Sequence, residues 1–298
     1  MGRGGGEHVD EHLADRFEAH RAHLTAVAYR MLGSLTEADD AVQEAWLRLA
    51  RVDPATIDNL GGWLTTAVSR VCLDMLRSRR MRREDSFEEQ LPDPVVRLDD
   101  SADPEQQAVL ADSVGLALLV VLDSLNPAER LSFVLHDMFA LPFDEIGPIL
   151  GKSSAAAKTI ASRARRRVQA GAPRLDPDLP RQRRAVAAFL SAAREGSFDA
   201  LLSLLDPEVV LRADSGSGGL QIIRGASAVA GLLDTFHTFA NRYDVAPAIV
   251  NGVAGLLSTV DGAPKSVLAF TVADDRITAI DLIAHPERLA TLPLPTTH

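Results

Sequence analysis

Apolar positions in the first third of the chain fall at helical spacing. Phe17, His20, Leu24, Val27, Met31 and Leu32 mark one side of a first helix. Thr36 followed by Asp39 has the form of a capping box and predicts the start of a second helix, with Ala41, Val42, Ala45, Trp46 and Leu49 as its stripe. After a loop around Pro54, a third helix is expected from Leu60, with Trp63, Leu64, Ala67, Val68, Val71, Cys72 and Met75 on one face. Trp63 is assigned to that core rather than to a stacking platform. Residues 83–104 change character: Pro92, Pro94 and Pro104 among many acids predict a linker. Helical spacing resumes with Val114, Leu118, Val121, Leu122 and Leu125. Asn126-Pro127-Ala128-Glu129 then supplies a cap, a first-turn proline and an acid at the third position. The helix that it starts carries Leu131, Val134, Leu135 and Met138. A short helix over Phe143–Leu150, stopped by Gly151, precedes a longer one over 153–169. Pro148 lies inside the short helix and predicts that it is shortened or kinked.

Beyond a second proline-bearing linker, 171–180, the period changes. Helical patterns at 185–194 and 226–240 alternate with strand-like runs at 209–213, 245–250, 255–260, 266–272 and 277–284. Asn251-Gly252, Asp261-Gly262 and Asp274-Asp275 mark the turns. Helices followed by a curved antiparallel sheet describe an α+β domain. The fold class expected is therefore multidomain: two all-α domains, the second with a helix-turn-helix, then an α+β domain.

Composition narrows the setting. Hydrophobic residues make up 46% and charged residues 24%, ordinary for a soluble chain, and 298 residues suit two or three domains. No apolar run approaches the roughly 18–20 residues needed to span a bilayer. The glycine-rich start, residues 1–8, lacks the apolar stretch of a signal peptide and reads as a disordered tip. Cys72 is the only cysteine, which excludes an intrachain disulfide and a cysteine-cluster metal site. Together these features suggest a cytoplasmic protein without cofactors.

The net charge of −10 argues against nucleic acid until its distribution is considered. Arg77, Arg79, Arg80, Arg82 and Arg83 form one basic run; Lys152, Lys158, Arg163, Arg165, Arg166 and Arg167 form another. Between them, 84–112 is acidic, with Arg97 as its only base. One such run is equally a solvated helix face, but two runs ending amphipathic helices favour phosphate. The segment 143–167 has the form of a helix-turn-helix. Ser153 can cap its second helix, Ala155, Ala156 and Ala157 allow close approach to a groove, and Lys158, Thr159, Ser162 and Arg163 would face bases and phosphates. Taken alone, the pattern also fits an ordinary helical hairpin.

On these residues the chain resembles the extracytoplasmic-function, or group IV, sigma factors of the sigma-70 family. Residues 37–49, Glu-Ala-Asp-Asp-Ala-Val-Gln-Glu-Ala-Trp-Leu-Arg-Leu, resemble that family's polymerase-binding helix. The resemblance implies that Asp39, Asp40, Gln43 and Glu44 pack on a coiled coil of the polymerase β′ subunit. The stretch 59–83, opening Asn59-Leu60-Gly61-Gly62-Trp63, resembles the −10 element reader. There the loop before the helix captures a flipped base and the helix grips single-stranded DNA. Residues 125–167 resemble the −35 element reader. The two blocks cover about the first 170 residues in the family's order.

The C-terminal part resembles the SnoaL-like, polyketide-cyclase-type cone domain fused to one subgroup of these factors, the SigJ-like proteins. The subgroup's Leu-Pro-Glu-Pro linker motif reads Leu91-Pro92-Asp93-Pro94 here. Its glycine-rich loop reads Asp214-Ser215-Gly216-Ser217-Gly218-Gly219, and its terminal Asn-Pro-Asp-Lys-Leu reads His285-Pro286-Glu287-Arg288-Leu289. Cone enzymes place an Asp or His in an apolar pocket as general base. Asp206, Asp214, His237 and Asp281 are the available groups, each more ordinarily a surface or capping residue, so no catalysis is expected.

The resulting expectation is a sigma factor that directs core RNA polymerase, through its β′ and β subunits, to promoter DNA, with its activity modulated by the C-terminal domain. The domains expected are 12–83 (region 2), an acidic linker 84–104, 105–170 (region 4), a linker 171–180 and the SnoaL-like domain 181–292. DNA contacts are assigned to Asn59, Arg70, Arg77, Arg79, Arg80, Ser154, Lys158, Thr159, Ser162, Arg163 and Arg166. No membrane contact is expected, and a dedicated anti-sigma partner is not required. Two alternatives remain open: a one-component regulator sensing a ligand in the cone domain, and a SnoaL-like isomerase or cyclase fused to a DNA-binding module.

Overall fold

The computed structural model describes residues 4–53, 56–83, 90–98, 115–171, 176–216 and 219–295. The chain divides into two compact units, Met1–Ser86 with Leu122–Ala170, and Phe87–Val121 with Gly171–His298.

The first unit opens with helices α1 (Gly4–Leu32), α2 (Leu35–Leu49) and α3 (Leu60–Arg83). Phe17, Leu24, Val27, Met31, Ala41, Val42, Leu64 and Val68 are buried where the three meet. The helix α1 reaches back to Gly4, so the glycine-rich start is not wholly the disordered tip expected. Extending an already nucleated helix fixes one residue per added bond, which keeps even glycine tolerable. The cap of α2 is Ser34, whose Oγ accepts the Glu37 N–H at 3.5 Å, and not Thr36. Gly33 ends α1 at φ 71° and leaves Ser34 extended, which puts the Ser-x-x-Glu spacing two residues earlier than the sequence signal suggested.

After α4 (Leu116–Asp123) comes α5 (Pro127–Phe133), continued by a turn of π-helix, Val134–Met138. The capping box at α5 is reciprocal: the Glu129 N–H donates to Asn126 Oδ1 at 3.0 Å and the Asn126 N–H to Glu129 Oε2 at 3.2 Å. Helices α6 (Phe143–Leu150) and α7 (Ser154–Gly171) complete the helix-turn-helix. Pro148 neither shortens nor breaks α6, which ends of its own accord at Gly151 with φ 67°. The turn is tight at Gly147, where an added Cβ would stand 2.8 Å from the Lys152 carbonyl oxygen. Ser153 caps α7 as expected, accepting the Ala156 N–H at 3.2 Å.

These two helical groups share a core. Besides its contacts with α1 and α2, α3 packs on α5 and α6, and α1 meets the π-helical turn. Leu73 and Leu76, off the apolar stripe of α3, are buried as well. Arg130 is fully buried, with Nη1 donating to Asp123 Oδ1 at 2.6 Å and Nε to the Arg30 carbonyl at 3.2 Å. The Arg30 guanidinium lies 4.6 Å from the Phe139 ring centre, and His23 meets the same ring edge-on at 5.3 Å.

The second unit contains a seven-stranded sheet in the order β1-β4-β5-β6-β7-β2-β3. The strands are β1 (Val96–Leu98), β2 (Leu205–Asp214), β3 (Leu220–Arg224), β4 (Asp244–Val250), β5 (Val253–Val260), β6 (Ala263–Ala273) and β7 (Arg276–Ile283). The meander β4–β7 turns at Asn251-Gly252, Asp261-Gly262 and Asp274-Asp275, all with positive φ, the geometry that suits two-residue hairpins. The sheet is mixed rather than antiparallel, because β2 runs parallel to β7. Helices α8 (Leu179–Glu195), α9 (Phe198–Leu204), α10 (Ala226–Ala230) and α11 (Leu233–Arg242) accompany it, and α12 (Pro286–Thr291) follows β7. The single helix expected over 226–240 is thus two. Phe189 packs against Phe236 and Phe270 at 5.2 and 5.1 Å between ring centres and fills the space between helices and sheet.

The linker contributes to this sheet. Strand β1 pairs antiparallel with β4, Val96 opposite Val250 and Leu98 opposite Ala248. The Val95 N–H donates to Asn251 Oδ1 at 3.0 Å, and the Asn251 N–H returns to the Val95 carbonyl at 2.8 Å. Just upstream, Arg288 holds Asp93 at 2.8 Å, the Leu91 carbonyl, and the buried carboxylate of Asp214.

Candidate nucleic-acid interface

Along α7 the buried positions are Ala157, Ala161, Ala164 and Val168. Three- and four-residue steps put them on one face, and the small side chains let the helix lie close to the rest of its unit. The opposite face carries Ser154, Lys158, Thr159, Ser162, Arg163 and Arg166, all exposed. The arginine run is split by its partners. Arg165 pairs with Asp137 at 2.6 Å, and Arg167 pairs with Glu129 at 2.8 Å. The exposed cations Lys158, Arg163 and Arg166 form a stripe running from the helix N-terminus.

The second cluster lies at the start of α3. Asn59 Oδ1 accepts the Gly62 N–H at 3.1 Å, so this side chain caps the helix. Asn59, Trp63, Thr66, Arg70 and Arg48 line a cleft of about 480 Å³, to which Glu145 of α6 also contributes. Trp63 is half-buried and faces this cleft, which corrects its assignment to the core. Sequence reasoning missed Arg48 and Glu145 as members of this cleft because each lies in a different motif, 37–49 and 143–167; only the fold brings them to α3. Arg70 is exposed, as are Arg77 and Arg80 of the basic run, with Arg77 only 3.6 Å from Asp74. Arg79 instead bridges helices, with Nη1 donating to the Leu32 carbonyl at 3.0 Å and Nη2 paired with Glu37.

The helix α2 presents Asp39, Asp40 and Gln43 outward, with Glu44 half-buried and paired with Arg48 at 2.9 Å. Leu47, 45% exposed, continues the same face. An apolar side chain next to an acidic face suits a protein partner better than solvent alone. Its signal was in the sequence: Leu47 follows Asp40 and Gln43 at helical spacing, off the buried stripe.

The four acid–base candidates of the C-terminal domain do not converge. Asp206 accepts the Glu208 N–H at 2.8 Å, and His237 is exposed on α11. Asp214 is held by Arg288, and Asp281 by Arg212 at 2.5 and 3.0 Å. Burial pushes the Asp281 carboxyl up, opposed by the Arg212 guanidinium. The Asp281 pair lies within the sheet, and the Asp214 pair joins the sheet to α12. Among the described residues no cluster of three or more His, Cys, Asp or Glu could hold a metal ion, and no helix is long and apolar enough to cross a membrane.

A helix-turn-helix with a cationic outer face, joined to a three-helix group with a tryptophan cleft and an acidic face, defines a promoter-reading transcription factor. Models of two families match it in that order: Sigma-70 region 2 over residues 16–82, and Sigma-70, region 4 over residues 115–168. The chain belongs to the extracytoplasmic-function sigma factors, which direct RNA polymerase to promoters and are not enzymes. It is 40% identical over 298 residues to the ECF RNA polymerase sigma factor SigJ of Mycobacterium tuberculosis, covering 93% of each chain. It is also 34% identical to the probable ECF RNA polymerase sigma factor SigI of that species, over 92% of this chain and 93% of the relative. The crystal structure of M. tuberculosis SigJ superposes with a TM-score of 0.75 at 36% identity, over 95% of this chain and all of that one. The C-terminal α+β domain is therefore part of the shared architecture.

Proposed function

We propose that the C-terminal domain modulates promoter initiation by holding the linker between regions 2 and 4. The observation that carries this reading is the linker strand itself. Residues 96–98 pair with β4, and Arg288 grips Asp93 and the Leu91 carbonyl. A domain that binds one arrangement of the linker better than another shifts the balance between them, and a few kcal/mol suffice. In the same reading, the face Asp39, Asp40, Gln43 and Glu44 docks on β′, with region 4 meeting β. The Trp63 cleft with Asn59 and Arg70 takes an unstacked −10 base, since aromatic faces stack on any base. Arg77, Arg79 and Arg80 follow the −10 strand, with Arg79 giving up its helix bridge to do so. Ser154, Lys158, Thr159, Ser162, Arg163 and Arg166 read the −35 element. The factor works in the cytoplasm beside the polymerase, and a dedicated anti-sigma protein is not required.

The test compares full-length protein with a chain ended at Gly171. A cut near residue 184 would fall inside α8 and leave a fragment of it behind. Run-off transcription from a cognate promoter, at equal occupancy of core polymerase, should differ in rate between the two. Equal rates would reduce the domain to a passenger.

A further inference from the structure

We infer that Arg48 of α2 is a DNA contact, holding a backbone phosphate beside the base that the Trp63 cleft takes. The inference rests on the −10 reading of that cleft, and it names a residue from the helix whose acidic face is assigned above to the polymerase. The cleft is built mainly along one side of α3. Asn59, Trp63, Thr66 and Arg70 follow one another at four- and three-residue steps, with Arg70 about 10 Å along the axis from Trp63. Arg48 is the lining residue that α2 brings. The acid of the lining, Glu145, comes from α6. When the two helical groups part, α6 takes this carboxylate away. The lining that α2 and α3 retain then has two cations, Arg48 and Arg70, and no acid.

A nucleotide inside a strand carries a phosphate on either side of its base. Single strands are held by an aromatic face for the base and cations along the backbone. Arg70 supplies one cation beside Trp63, and Arg48 supplies the second from a different helix. The present partner of Arg48 does not stand in the way. Its Nε donates to Glu44 Oε1 at 2.9 Å, and its side chain is 39% exposed. A guanidinium has five N–H donors, so one bond through Nε leaves others for a phosphate. An exposed pair one turn apart also adds little stability, so it is readily shared or given up. The alternative role for Arg48 is a local one, a cation in the last turn of α2 that offsets the helix dipole. That role would leave DNA binding untouched.

The assay is binding of a fluorescent single-stranded oligonucleotide, spanning the −10 region of a cognate promoter, to holoenzyme reconstituted with core polymerase. Arg48→Gln should bind about tenfold more weakly at low salt, with a log–log salt slope shallower by about 0.7, the value for one phosphate on a single strand. The loss should be the same on oligonucleotides with altered −10 bases. Arg48→Lys keeps the charge and should restore the slope. Affinity for core polymerase and the melting temperature should not change. If glutamine lowers the melting temperature, Arg48→Met, which keeps the apolar stem, replaces it. Trp63→Ala is measured beside these variants. Weakening by Trp63→Ala with Arg48→Gln unchanged overturns the assignment of Arg48 and keeps the cleft. No weakening by either variant removes the cleft reading, and Arg48 with it. Reduced affinity for core polymerase would place Arg48 on the polymerase face, and a loss confined to one −10 sequence would make it a base reader; either result overturns the phosphate contact.

Discussion

Replacing Arg288 by alanine should undo the docking of the linker more than any other single change in the second unit. The guanidinium sits between two carboxylates and a carbonyl, and its side chain is 11% exposed, against 3% for Asp214 and 15% for Asp93. Without it, Asp214 remains buried with its cation gone. Breaking a buried ion pair from one side costs about 3–5 kcal/mol, because the remaining charge keeps its desolvation penalty. Arg288→Lys should recover only part of this, since a single ammonium cannot span acceptors on Leu91, Asp93 and Asp214 as a planar fork does. Asp93→Asn keeps the Asp214 pair and weakens only the linker side, at about 1–2 kcal/mol. Urea unfolding measures the total, and native-state hydrogen exchange at the Val95–Leu98 amides measures the linker alone. If about 3 kcal/mol is lost locally, exchange there should rise roughly a hundredfold in Arg288→Ala. A loss below about 1 kcal/mol with unchanged exchange would refute the argument that Arg288 compensates buried charge.

Three further outcomes follow from the first unit. Burial pushes the Cys72 thiol up to about 12, so Ellman's reagent should not label it at pH 8 until the protein is unfolded. A raised folded pKa means that the folded state holds this proton longer. Stability relative to Cys72→Ala should therefore be undiminished below about pH 9 and fall by about 1.4 kcal/mol per unit between there and about 12; parallel curves would contradict it. Asp40→Arg with Glu44→Arg should abolish co-purification with core polymerase while circular dichroism stays native, because both lie off the buried stripe of α2. Lys158→Ala or Arg163→Ala should weaken −35 binding by about 1–3 kcal/mol and relax specificity if a base is read, or weaken all sequences alike, with a salt slope lower by about one, if only phosphate is met. Unaltered binding to every DNA would mean that this face of α7 points away from the groove.

Where local chemistry decides, the sequence was a sufficient guide. Asn126-Pro127-Ala128-Glu129 fixes its own hydrogen bonds, the turn dipeptides fix positive φ, and Phe143–Leu150 stands within the bounds its stripe predicts. What escaped depends on partners distant in the chain. Val96–Leu98 is three residues long among acids, too short to show a period of two, and becomes a strand only because β4 offers an edge. The parallel pairing of β2 with β7 leaves no local mark. The burial of Leu73 and Leu76 required knowing that the two helical groups meet, and the division of the arginine run required knowing that α7 packs beside Asp137 and Glu129. The exposed cationic face of α7 was legible because it belongs to a single helix; the Trp63 cleft was not, because it is assembled from three.

Arg130 carries one further consequence. It is the bulkiest of the fully buried side chains, and it sits at the seam of the two helical groups. The carboxylate it grips, Asp123, lies on its own side of that seam; from α1 it reaches the carbonyl of Arg30. When the groups part, the ion pair leaves together, and a neutral carbonyl is handed to water. Losing such a bond costs on the order of 1 kcal/mol, not the several that stranding a bare charge would. On the proposed reading the two groups meet separate promoter elements, and so must be able to part. Arg130 thus keeps its carboxylate when the groups part, whereas Arg30, buried on the other side of the seam, gives up the face of Phe139.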